Sequence, residues 1–190
     1  VDTDLFNPAR QRVLNLPRPI SLFVGRVSVE KNIEAFLALD LPGTKVVVGE
    51  GPARASLQAR FPEVQFLGLR EGPALADIYA SSDVFVFPSL TDTFGIVLLE
   101  ALASGLPVAA FPVTGPLDVV ADKPVGALDN DLRAAVLRAL DCSREACRDH
   151  ALRYSWRESA REFLVNVTQC MAPPSAYRKA RIFSSVERKS

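Results

Sequence analysis

The sequence predicts an α/β protein built on a doubly wound parallel sheet, Rossmann-like, with additional helices at its C-terminal end. Three observations carry this. Short apolar runs without periodicity recur along the chain. Stretches with helical spacing separate them. The two kinds of segment alternate at roughly 15–25 residues, the spacing of βαβ units. Strands that are apolar throughout suit a sheet covered on both faces, which a parallel sheet with right-handed crossovers provides.

The strands are read at Ile20–Val24, Thr44–Val48, Val64–Leu67, Val84–Phe87 and Pro107–Ala110. Helical spacing follows each of the first four: Ile33, Phe36 and Leu37; Leu57 and Phe61; Leu75, Ile78 and Tyr79; Ile96, Leu99, Leu102 and Ala103. Beyond residue 128 the pattern is helical only. Leu132, Ala135, Val136 and Ala139 mark one amphipathic helix; Ala160, Phe163, Leu164 and Val167 mark another, with Ser155 as its cap. Residues 1–17 hold prolines and no period, and read as an interdomain linker remnant. Residues 18–171 form the main domain. Residues 172–190, carrying five basic side chains against one acid, read as a flexible basic tail.

Composition narrows the function. Of 190 residues 48% are hydrophobic, enough for a packed core. With 22 Lys and Arg against 22 Asp and Glu, the chain lacks the basic field of a general nucleic-acid binder. No apolar run reaches membrane-span length; the longest, Ala101 to Val113, is broken by Ser104, Gly105, Pro107 and Pro112. Three irregularly spaced cysteines make neither a disulfide framework nor a zinc site, so a reducing, cytoplasmic compartment is expected. The basic run from Arg178 suits peripheral contact with anionic lipid at the inner face of the membrane. The chain opens Val1-Asp2-Thr3-Asp4 and its single methionine is Met171, so it reads as a piece of something longer.

In a doubly wound sheet, ligands sit beyond the carboxyl ends of the strands. After the first strand, Gly25 permits a sharp turn, and Arg26 and Lys31 place two cations at that edge. The pair suits a diphosphate. The alternative is that Glu30 pairs with one of them and both are ordinary surface charges. After the second strand, Gly49-Glu50-Gly51-Pro52 has the outline of a dinucleotide fingerprint, but Arg54 stands where its third glycine belongs. It is read as a tight turn with Pro52 opening a helix. After the third strand, Gly68-Leu69-Arg70-Glu71-Gly72 either frames a flat base through backbone groups or is a plain connection.

The loop after the fourth strand, Pro88 to Gly95, says most. A helix starting near Thr93 or Phe94 offers the unpaired amides of its first turn to an anion, and Gly95 clears the approach. Glu100 lies about 7–8 Å further along that helix axis, the scale of the step from a terminal phosphate to a ribose. A carboxylate among Leu98, Leu99, Ala101 and Leu102 is costly without partners. Asp92 serves equally well as a helix N-cap.

These residues match a known pattern. Gly25-Arg26 with Glu30-Lys31-Asn32, Gly49-Glu50-Gly51-Pro52, Phe66-Leu67-Gly68, and the block Pro88 to Val108 follow in order. Together they resemble the donor-binding half of retaining, family-four glycosyltransferases of two-domain GT-B architecture, over roughly residues 1 to 170. The resemblance implies a nucleoside-diphosphate-sugar donor, UDP- or GDP-linked, no cofactor or metal, and a saccharide or lipid-linked acceptor. Arg26 and Lys31 would neutralise the diphosphate, with Gly25 at the turn that presents them. Backbone around Phe94, Gly95, Ile96 and Val97 would hold the distal phosphate and the sugar. Glu100 would grip the ribose, and Gly68, Leu69 and Arg70 would frame the base. Asp92 stands where the family carries a glutamate toward the sugar, one methylene shorter. The acceptor domain would precede this chain, leaving it unable to complete transfer alone. Other readings are a non-catalytic nucleotide-binding module, a GT-B-type nucleotide-sugar epimerase, and a nicotinamide oxidoreductase. The lone His150 is read as structural.

Overall fold

A computed structural model of the chain describes residues 1–91, 95–154 and 156–171. Its centre is one six-stranded sheet: β1 (Ile20–Val24), β2 (Thr44–Val48), β3 (Gln65–Gly68), β4 (Val84–Phe87), β5 (Val108–Ala110) and β6 (Gly126–Leu128). The order is β3-β2-β1-β4-β5-β6 and every pairing is parallel. The connections supply α1 (Ile33–Leu37), α2 (Arg54–Arg60), α3 (Gly72–Ser81), α4 (Ile96–Ala103) and α5 (Thr114–Val120); α6 (Leu132–Ala139) and α7 (Arg144–Leu152) follow β6.

Side chains alternate along the strands, and each face has its own core. Leu22, Val24, Phe85, Phe87 and Val108 pack with Tyr79 of α3, Leu98 and Leu102 of α4, Val119 of α5 and Cys147 of α7. Phe23, Val47, Val84, Val86 and Ala109 pack with Ile33 and Phe36 of α1, Leu57 of α2, and Ala135 and Val136 of α6. Both faces are therefore covered, which is why β1 and β4 are buried at every position.

The sequence reading places three strands within their observed bounds and misses one. β3 and β5 each begin one residue later than expected, and β6 was not anticipated. β6 is a three-residue edge strand of Gly, Ala and Leu, only half-buried, so it has neither β-branched residues nor an apolar run to reveal it. Its first residue must be small: a Cβ on Gly126 would stand 2.2 Å from the Val108 carbonyl oxygen. Helix α2 starts at Arg54, so Pro52 lies in the turn before it, a correction to the expected helix start.

Residues 1–17 contain no helix or strand, yet they are anchored. Val1 and Phe6 are buried in the core, and the Phe6 ring meets Tyr79 edge-on at 5.6 Å. Arg148 of α7 donates to the Phe6 carbonyl at 2.7 Å and to the Ala103 carbonyl at 2.8 Å, tying this segment to the end of α4. The chain forms two units, Val1–Ser155 and a second from Trp156 that carries α8 (Trp156–Met171). Within α8, Arg161 and Glu158 pair at 3.5 Å. The basic tail at 172–190 and the expected cap Ser155 lie outside the described residues. Among those described, no helix is long and apolar enough to cross a membrane.

Candidate functional site

Strand order reverses between β1 and β4: successive strands run outward from β1 to β3 on one side and from β4 to β6 on the other. Crossover helices on either side of that point leave an open crevice at the carboxyl edge. The loops after β1 and β4 flank it. They are joined directly, because Asn32 Nδ2 donates to the Pro88 carbonyl at 3.0 Å. Asn32 itself sits at φ 50°, between a single 3-10 turn (Val29–Lys31) and α1, in a conformation asparagine tolerates better than most residues.

The β1 loop carries Gly25, Arg26 and Lys31. Arg26 is exposed, and its guanidinium stands 3.8 Å from the Glu30 carboxylate. Glu30 is held below the usual carboxylate range, first by its own backbone amide and, with smaller effect, by the charges of Arg26 and Lys31. So Glu30 does meet Arg26, as the surface-charge alternative anticipates, but through a long contact on an exposed rim where such pairs are weak.

What fixes this loop is the Gly49-Glu50-Gly51 turn, whose role the sequence reading missed. Val27 N–H donates to the Glu50 carbonyl at 2.9 Å, and Ala53 N–H donates to the Val27 carbonyl at 3.1 Å. The two backbones touch. A Cβ on Gly49, which lies at φ 136°, would fall 1.9 Å from the Gly25 carbonyl oxygen; one on Gly51 would fall 2.2 Å from that of Val27. The pattern is a glycine seat for the Arg26 loop, not a bare turn.

Beside that seat a cleft of about 300 Å³ opens at the tips of β1, β2 and β3, lined by Gly25, Arg26, Gly49, Glu50, Leu69 and Arg70 among others. Leu69 is exposed and presents apolar surface to it. Arg54 clasps the Glu50 carboxylate, and Gly68 lies directly beneath: a Cβ there would meet Glu50 Oε1 at 3.0 Å. Clefts of about 550 and 530 Å³ lie between α1 and α2 and at the amino edge of the sheet. They are larger, and the first also touches Ser28 and Asn32 of the β1 loop, but the cations in them are engaged: Arg60 with Glu34, and Lys45 with the Leu37 and Leu39 carbonyls.

On the other side of the switch point, α4 begins at Ile96, not near Thr93 or Phe94. Gly95 precedes it at φ 67°, where a Cβ would press to 3.2 Å on the Phe87 ring. Ile96 is exposed and Val97 half-buried. Asp92 and Phe94 lie outside the described residues. Glu100, half-buried on α4, accepts a hydrogen bond from the Tyr79 hydroxyl at 3.1 Å. Burial raises the Glu100 carboxyl above its ordinary value, against the pull of that hydrogen bond. Burial, then the neighbouring Glu100 charge, pushes the Tyr79 hydroxyl well above 10, so it remains a donor. Sequence reasoning took Tyr79 for a core position; a tyrosine rather than phenylalanine on an apolar helix face was the available signal, since a buried hydroxyl needs a partner.

Thus the β1 loop and the β3 loop share one cleft, and the β1 and β4 loops meet across the switch point. His150 is elsewhere, buried on α7 and donating from Nε2 to the Val119 carbonyl at 2.9 Å. Among the described residues no group of three or more His, Cys, Asp or Glu could hold a metal ion.

A parallel sheet in this order is Rossmann-like, and the structural neighbours that share it are GT-B glycosyltransferases. Sucrose-phosphate synthase from Thermosynechococcus elongatus shares it, with a TM-score of 0.77 at 29% identity over 90% of this chain and 51% of that one. The chain belongs to the family described as Glycosyl transferases group 1, whose pattern matches residues 18–142. Over 150 residues it is 41% identical to the GDP-mannose-dependent alpha-mannosyltransferase of Mycobacterium tuberculosis, covering 72% of this chain and 40% of that protein. Over 185 residues it is 35% identical to the sulfoquinovosyl transferase SQD2 of Arabidopsis thaliana, covering 83% and 36%. The chain spans about two-fifths of the length of these curated relatives.

Proposed function

We propose that this chain is the nucleotide-sugar-binding half of a retaining family-four glycosyltransferase, acting with an acceptor domain supplied by the remainder of a longer protein. The donor is a sugar linked to UDP or GDP, and the acceptor a saccharide or a lipid-linked group. The named activities of the relatives, transfer of mannose from GDP-mannose and of sulfoquinovose, support the reaction class. The observation that carries the reading is the junction at the switch point, where the Asn32–Pro88 bond holds the loop of Arg26 and Lys31 against the loop that leads into α4.

Breaking the bond from sugar to diphosphate leaves growing negative charge on the departing phosphate. Arg26, Lys31 and the first-turn amides of α4 are the groups that stabilise it, and they need not reorganise as the charge develops. The leaving diphosphate then helps to deprotonate the incoming hydroxyl on the same sugar face, which retains configuration. Glu100 accepts the ribose hydroxyls, Leu69 and its neighbours bound the base, and Asp92 contacts the sugar. The chemistry asks for no resident cofactor or metal, since cationic side chains supply the charge. The protein works in the cytoplasm, with the 172–190 tail reaching anionic lipid at the inner face of the membrane.

Calorimetric titration of UDP, GDP and NAD tests the reading. One of the two nucleoside diphosphates binds, more weakly to this chain than to the longer protein, and NAD does not compete. Preferential binding of NAD, or sugar transfer to a soluble acceptor by this chain alone, contradicts it.

A further inference from the structure

We propose that Tyr79 is a positioning residue for the donor: from within the core it orients the Glu100 carboxylate to receive the ribose hydroxyls. The inference rests on the donor reading of Glu100 given above. Tyr79 is completely buried, wedged between Phe6 and Phe85 at ring separations of 5.6 and 5.8 Å. A phenylalanine would fill that space as well. What the hydroxyl adds is one hydrogen bond, to Glu100 Oε2 at 3.1 Å. Among the described residues, Tyr79 is the hydrogen-bond partner recorded for the Glu100 side chain.

The chemistry of the pair fits orientation. A glutamate has three rotatable side-chain bonds, and its helix neighbours Leu98, Leu99 and Ala101 offer no side-chain donor to fix it. A hydroxyl donating to a carboxylate is a charge-assisted bond, roughly twice as strong as a neutral one. It engages Oε2 and leaves Oε1 for the ligand. An acceptor already held in place loses less freedom when the ligand arrives, so affinity rises without a new contact. Tyr79 also lies on α3, the helix that follows the Gly68–Arg70 loop at the base side of the cleft. One rigid element thereby links the groups proposed for the base to the group proposed for the ribose.

A bond that merely stapled α3 to α4 would matter equally for every ligand; a positioning bond matters only for ligands with ribose hydroxyls. The test is calorimetry on the full-length protein with its preferred nucleoside diphosphate and with the counterpart lacking both ribose hydroxyls. The proteins are wild type, Tyr79→Phe, Glu100→Gln and the double variant. The expected result is that Tyr79→Phe weakens the natural nucleotide about 3–10-fold, leaves the hydroxyl-free counterpart unchanged, and adds little to Glu100→Gln. Replacing Tyr79 by 4-fluorophenylalanine, which fills the hydroxyl's space without donating, gives the same pattern should the smaller ring destabilise the fold. Equal weakening of both nucleotides, or no weakening of either, overturns the role of Tyr79 while Glu100→Gln still discriminates them. If Glu100→Gln fails to discriminate them, the ribose reading of Glu100 falls first and the proposal with it.

Discussion

Asn32 reaches across the switch point of the sheet and donates its side-chain amide to the Pro88 carbonyl, joining the loop after β1 to the loop after β4. Two segments 56 residues apart in sequence are thereby held as one rim of the crevice. Replacing Asn32 by glycine keeps the positive φ and deletes the bond. It should cost about 1 kcal/mol of stability and weaken nucleoside diphosphate binding. Replacing it by alanine should cost about 1 kcal/mol more, because a Cβ without a polar partner disfavours that backbone. Urea denaturation and calorimetry on both variants measure the two effects.

Gly49 and Gly72 both have positive φ, yet they should respond differently to alanine. At Gly49 the added carbon meets the Gly25 carbonyl oxygen at 1.9 Å, backbone against backbone, and neither can yield without moving the Arg26 loop. Gly49→Ala should destabilise by about 3 kcal/mol or more and abolish nucleotide binding. At Gly72 nothing lies within 4 Å. Gly72→Ala should cost only the conformational penalty of about 1–2 kcal/mol, with binding retained. Denaturation midpoints of the two variants side by side make the comparison.

Half-buried Glu100 and buried His150 set opposite pH dependences. The Glu100 carboxyl is raised above 4.5 by burial, so the folded state holds its proton longer than the unfolded chain does. Its contribution to stability declines as pH rises from about 4.5 through the raised value. Binding runs the other way, because ribose hydroxyls require the carboxylate; affinity falls as pH drops through that same raised value. The side chain that acts on Glu100 besides burial is the Tyr79 hydroxyl of α3. Glu100→Gln should flatten the acid limb of binding. His150 is lowered below 6.5 by burial, so stability it contributes at neutral pH is lost as pH falls from about 6.5 through the lowered value. His150→Gln should remove that slope from thermal melts recorded between pH 5 and 7.

Much of this could be read in the residues before any coordinates. Runs such as Ile20–Val24 and Val84–Phe87, apolar but for Ser21, are buried on both faces of the sheet, and their bounds match the strands. That Arg26 and Lys31 follow the tip of a strand, the edge at which parallel sheets bind ligands, was legible from the strand bounds. Three things were not legible. β6 lacks any local β signal and exists because β5 offers an edge to pair with. The Gly49-Glu50-Gly51 turn looks like a connection until Gly25 and Val27 are found pressed against it. The bond from Tyr79 to Glu100 joins two residues 21 apart in sequence on two different helices, a pairing no periodicity encodes.

The central claim is that Arg26, Lys31 and the start of α4 cradle a diphosphate. Its most direct test compares a nucleoside diphosphate with its parent nucleoside, by calorimetry, in the wild type and in the variant carrying Arg26→Gln and Lys31→Gln. Each charge-assisted contact contributes about 1.5–3 kcal/mol, so the wild type should prefer the diphosphate by a factor of roughly 100 or more, and the variant should lose most of that preference while its melting temperature stays unchanged. A variant that keeps the full preference would contradict the account.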